Sequence, residues 1–82
     1  MRLIPLRSSL LASVGYDMAT KTMVVMFQTG GRTLYKYTGV DRETYVSIVT
    51  DPESHGKAFN RLVRNNKDIP YKQVDQEHVR GL

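Results

Sequence analysis

The sequence predicts an α+β fold: a three-stranded antiparallel meander followed by two helices packed on one face (β-β-β-α-α). Three observations predict it. Apolar residues alternate with a period of two through residues 10–38, turn-forming residues interrupt those runs, and the period lengthens to a helical one after Asp41. With 82 residues the chain makes a single domain, 1–82.

The first strand is expected over Leu10 to Tyr16, where Leu10, Ala12, Val14 and Tyr16 share one face. Asp17 to Lys21 makes a tight connection to the strongest strand, Thr22 to Gln28. Thr29-Gly30-Gly31 then supplies the residues that a hairpin needs where φ turns positive, and Arg32 to Thr38 returns antiparallel. That return ends in Tyr35-Lys36-Tyr37, whose alternation puts both tyrosines on one face and the lysine on the other.

The first helix is expected from Arg42 to about Val49. Asp41 is its N-cap, Val40 and Tyr45 match a hydrophobic staple, and Glu43 suits the positive end of the helix dipole. Tyr45, Ile48 and Val49 form its buried face, and Thr50-Asp51-Pro52 stops it. A second helix starts near Ser54, capped by Ser54 or Asp51. Ala58, Phe59, Leu62 and Val63 make its core stripe, with Lys57, Arg61 and Arg64 on the opposite face. Asn65-Asn66 and Ile69-Pro70 end it, and Tyr71 to Leu82 reads as a polar tail, partly disordered or a frayed helix.

Composition excludes several classes. Without cysteine there is no disulfide and no thiolate metal site, which fits a reducing cytoplasm. The longest apolar run, Met23 to Phe27, is far short of the roughly 20 residues of a membrane-spanning helix. Met1 to Arg7 lacks the apolar core of a signal peptide. A soluble, cytoplasmic protein without a membrane partner is expected. The net charge is +4, and its placement is uneven. Between Ser54 and Lys72, the five cations Lys57, Arg61, Arg64, Lys67 and Lys72 face Asp68 alone, which accounts for the whole excess. An anionic partner follows as an expectation.

If Met23, Val25, Phe27, Tyr35 and Tyr37 face the helices, then Val24, Met26 and Leu34 point the other way, where a one-layer domain expects polar residues. Either the segment Leu3-Ile4-Pro5-Leu6 or the tail covers that outer face, or a homo-oligomer packs sheet on sheet.

Ser8-Ser9, Gly15-Tyr16-Asp17, Met23-x-Val25-x-Phe27, Gly30-Gly31, Tyr35-x-Tyr37, Val40, Tyr45, Ser54-x-Gly56 and Phe59-Asn60 occur in an order that resembles the KTSC domain. That family takes its name from a segment at the C-terminus of some lysyl-tRNA synthetases and includes small free-standing bacterial and phage proteins. The resemblance spans residues 6–66. It implies a small α+β domain, and through the synthetase association an RNA-binding role. Asp41 stands where the family usually has proline, and Val24 and Met26 replace commonly polar positions. Residues 67–82 have no counterpart and take no family function.

The chemistry on offer is binding. Lys57, Arg61, Arg64 and Lys67 make a cationic rail suited to phosphates, or a plain solvated helix face. Arg32 and Lys36 extend that surface only if the hairpin tip lies beside the helix. Tyr35 and Tyr37 are either stacking platforms for bases or core aromatics against Phe27 and Phe59, the reading that the absence of tryptophan favours. Ser54-His55-Gly56 offers free amides to an anion, or plain capping and close packing. His55 and His78 are the only imidazoles, and neither has a nucleophile or metal spacing. No catalytic residue, metal or cofactor is expected. The preferred function is non-catalytic binding of RNA or another nucleic acid. The alternatives are a protein-interaction module, phage-encoded and host-directed, working through the outer sheet face, and an oligomer that holds a small nucleotide.

Overall fold

The computed structural model describes residues 1–31, 33–51 and 53–82. Its centre is an antiparallel sheet of five strands in sequence order: β1 (Ile4–Pro5), β2 (Leu11–Asp17), β3 (Thr22–Phe27), β4 (Leu34–Thr38) and β5 (Tyr71–Val74). The α+β class holds, but the three-stranded meander is the middle of a larger sheet. β1 pairs with β2, and β5 with β4.

Local chemistry explains the joints. Asp17 Oδ1 accepts from Ala19 N (2.9 Å), and Lys21 takes a left-handed φ of 54°, which closes the β2–β3 turn. Gly30 and Gly31 have φ of 86° and 70° at the next turn. Arg32 lies outside the described residues, and β4 begins at Leu34 rather than there. In β2 the register slips between Leu11 and Ser13, which leaves Ala12 as an extra residue. That bulge puts Leu11 and Val14 together in the core, although they are three apart, and displaces the expected Leu10-Ala12-Val14 alternation.

Helix α1 (Arg42–Val49) falls where its signals place it, burying Ile48 with Tyr45 and Val49 packed beside it. Asp41 occupies the N-cap in extended backbone, but its carboxylate caps nothing. It pairs instead with Lys21 Nζ at 3.3 Å, an exposed contact worth less than about 1 kcal/mol. Asp51 Oδ1 accepts from Glu53 N and Ser54 N (2.9 Å each) and so shapes the link to α2 (His55–Phe59). Pro52, the expected helix stop, lies outside the described residues.

The second helix does not continue as an α-helix. From Asn60 to Arg64 it becomes a π-helical turn, closed by Asn65 N donating to Asn60 O (2.9 Å). Ala58, Phe59 and Val63 still reach the core.

Two apolar clusters sandwich the sheet. The larger packs Leu11, Val14, Met23, Val25 and Tyr37 against Ile48, Ala58, Phe59 and Val63. The smaller, on the outer face, gathers Val24 and Leu34 under Met1, Leu3, Met26, Val74 and Val79. The tail is ordered, which corrects the expectation of a frayed end. β5 lies beside β4, and α3 (Gln76–Arg80), capped by Asp75 Oδ1 accepting from His78 N (2.7 Å), lays Val79 over Leu34 and Val24. Both chain ends thus cover the face where a second copy was the competing expectation, and the Met1 ammonium donates to Val79 O (3.1 Å).

Candidate functional site

Alternation along β4 and β5 decides what the inner face offers. Tyr35 and Tyr37 point toward the helices, and register pairs Tyr37 with Tyr71 and Tyr35 with Gln73. Tyr37 is core, 4% exposed, with its ring edge-on to Phe59 at 5.3 Å. Tyr35 is half-buried against Phe27 at 5.5 Å. The structural reading of these two tyrosines therefore holds for Tyr37 and in part for Tyr35. Tyr71, expected to open a polar tail, stacks on Tyr37 with centroids 5.5 Å apart and planes 28° apart, and is 65% exposed. Its signal was present in Tyr71-Lys72-Gln73-Val74, which repeats the Tyr-Lys opening of Tyr35-Lys36-Tyr37.

These rings floor an open groove of about 510 Å³, walled by Thr29, Gly30 and Thr33 on the hairpin side and by Arg64 and Asn65 on the helix side. The size suits a small ligand or one unit of a polymer. The π-helical turn brings Arg64 here. An i→i+5 hydrogen bond fits more residues into a turn than an α-helix does, so residues after it are rotated back around the axis. Arg64 thereby leaves the line of Lys57 and Arg61, and its guanidinium carbon lies 5.3 Å from the Phe27 ring centroid, within cation–π range. Burial raises the Tyr37 hydroxyl pKa, while the nearby Arg64 charge pulls it down.

The expected rail is thus split. Lys57 and Arg61 are exposed along the helix, with Arg61 close enough to Asp51 to favour its ionised form. Arg64 joins the aromatic groove. Lys67 is exposed and borders a second depression, of about 610 Å³, with Arg64, Asn65 and Tyr71 on its near side. Lys36 stands apart from the helix, and with Lys72 it lines a further depression beside Thr38, Pro70 and Tyr71. The Lys36 side chain projects from the outer face, opposite Lys72 across the strand pair, and its Nζ lies 3.0 Å from His78 Nε2. The alternation that aims Tyr35 and Tyr37 inward sends Lys36 outward. Arg32 lies outside the described residues.

Ser54-His55-Gly56 has structural work. Ser54 Oγ accepts from Lys57 N (3.1 Å), His55 Nδ1 bonds the Ile48 carbonyl (2.8 Å), and Gly56 is buried beside Leu10. These contacts are the capping and close packing that the motif also offered. Among the described residues no three His, Cys, Asp or Glu side chains converge as metal ligands. Among them, too, no helix is long and apolar enough to cross a membrane.

No curated protein compared with the chain matches it. A crystal structure of a KTSC domain protein from Yersinia pestis superposes with a TM-score of 0.77 at 22% identity, covering 90% of this chain and 97% of that one. At that identity the likeness carries the fold alone. The sequence model of the KTSC domain matches residues 7–66, most of the chain and nearly the span over which its motifs run, so the protein belongs to the KTSC domain family.

Proposed function

We propose that this is a non-catalytic binding domain for single-stranded nucleic acid, RNA foremost, with the groove between the hairpin and Arg64 as its site. The observation that carries the reading is the meeting of Tyr35, Tyr37, Tyr71 and Phe27 on one sheet face with the Arg64 guanidinium at their edge. Sheet-borne aromatics stack unpaired bases, each stack being worth about 1–3 kcal/mol, while arginine and lysine hold the phosphates. Lys67 borders the adjoining depression, and Lys57 and Arg61 continue the positive surface along the helix. Ser54 Oγ and His55 Nδ1 have structural partners, the one capping α2 and the other linking it to α1, which supports a non-catalytic role.

Fluorescence anisotropy of labelled oligouridylate tests the proposal. Binding is expected at low salt, with log K falling linearly against log salt, and a Lys57/Arg61/Arg64 triple alanine variant is expected to bind at least about tenfold more weakly. A flat isotherm at low salt, or an unchanged affinity in the triple variant, contradicts it. Nearly salt-independent capture of a protein partner would instead favour the interaction-module reading.

A further inference from the structure

Resting on that reading, we infer that the smallest ligand that fills the site is a dinucleotide, with Arg64 and Tyr71 forming the divide between two base positions. The two depressions, of about 510 and 610 Å³, share Arg64, Asn65 and Tyr71 as a common wall. The first is floored by aromatic rings and accepts one planar base. The second opens on the other side of the wall toward Lys67, Ile69 and Pro70.

One face of Tyr71 is taken by Tyr37, so its other face, on a residue 65% exposed, is the free stacking surface for a second base. A phosphodiester linking two nucleosides places its negative charge between their bases, and the divide carries the permanent positive charge of Arg64. Among the described residues no carboxylate lines either depression, although the exposed Asp68 lies between Lys67 and Ile69 of the second. A mononucleotide occupies one side only. A longer strand continues past Lys67 but adds no third aromatic platform.

NMR titrations, which measure millimolar affinities, separate these ligands. The probes are uridine 3′,5′-bisphosphate, the dinucleotide pUpU and a longer oligouridylate, so that the first step adds a nucleoside and no phosphate. For the native protein the dinucleotide is expected to bind about tenfold more tightly than the bisphosphate, the effect of one added stack. Tyr71→Ala should abolish that step, and Tyr71→Phe should keep it. A dinucleotide no tighter than the bisphosphate, or a step that survives in Tyr71→Ala, overturns the inference. If the oligomer still binds in either case, the nucleic-acid reading stands without the two-base site. If the oligomer does not bind at all, both fall.

Discussion

A Cβ on Gly56 would stand 2.9 Å from the Leu10 Cβ and 3.4 Å from Ser8 Oγ, so the helix that presents Arg64 docks this closely only because position 56 has no side chain. Ser8 holds the facing segment in place, its hydroxyl accepting from Leu10 N and Leu11 N at 3.1 Å each. Gly56→Ala gains up to about 1 kcal/mol of helix propensity but overpacks a contact that costs about 1–3 kcal/mol to relax. Urea unfolding is expected to show a net loss of roughly 1 kcal/mol. The tyrosines separate in the same way. Tyr37→Ala empties a core site and should cost about 3–5 kcal/mol, whereas Tyr71→Ala, at an exposed position, should cost under about 1 kcal/mol.

Titration at single residues gives the pH profile two limbs of opposite sign. Burial is the main cause that raises the pKa values of Tyr16, Tyr37 and Tyr45 above 10.0, and the Tyr16 hydroxyl also donates to Val40 O. A raised pKa means that the unfolded chain loses its proton first. The tyrosine contribution is therefore complete below about pH 10 and is lost as pH rises through the folded values. Asp51 is the reverse case, lowered from 3.8 by the amides of Ser54 and Glu53, so its contribution is present above that value and lost as pH falls. Chemical unfolding at several pH values should show both declines. Tyr16→Phe should soften the alkaline one and Asp51→Asn the acid one.

At the scale of elements, β5 is held by β4 on one side and by the packing of Val74 and Val79 on the outer face. Its position therefore depends on α3, although Tyr71 works on the inner face. Val79→Asp puts a charge into a site 4% exposed and should undock α3. Amide exchange is expected to quicken through residues 71–80 while β2 and β3 stay protected, and uniform loss of protection would contradict this division.

The same division marks what was legible in the sequence. Helix α1 was readable to both ends, because its staple and buried face are local signals. β3 was readable because its residues alternate between two buried faces. β1 has two residues and β5 four; the Tyr-Lys echo in β5 is too short to mark a strand by itself, and such edge strands take their structure mainly from a partner. The bulge at Ala12 and the π-helical turn are responses to packing, and neither has a local sequence signature. In the candidate site, the cations of the last long helix were legible as exposed charges. Arg64 joining the rings was not, because that depends on the turn's extra residue, and Tyr71 was hidden by the assignment of its segment to a tail.

For the whole molecule, the chain's own ends answer the question posed by its oily outer face. Met1, Leu3 and Val79 lie over Val24 and Leu34, so sedimentation at tens of micromolar is expected to give a single monomeric species, and a dimer would show that another surface associates. Charge is also divided between the faces. Arg64 borders the aromatic groove and Lys67 the depression next to it, while Lys36 and Lys72 stand with His78 on the other side of the sheet. Both faces carry cations, and the inner one sets them beside several rings at once, which matters because stacking is what distinguishes binding of an unpaired strand from general attraction to phosphate.

The most direct measurement is a titration of the isotopically labelled protein with oligouridylate, followed residue by residue through its amide resonances. The groove account predicts saturable shifts at Thr33, Tyr35, Arg64, Asn65 and Tyr71, with Lys36, Lys72 and His78 little changed. Shifts confined to that second group, or none at any concentration at low salt, would contradict it.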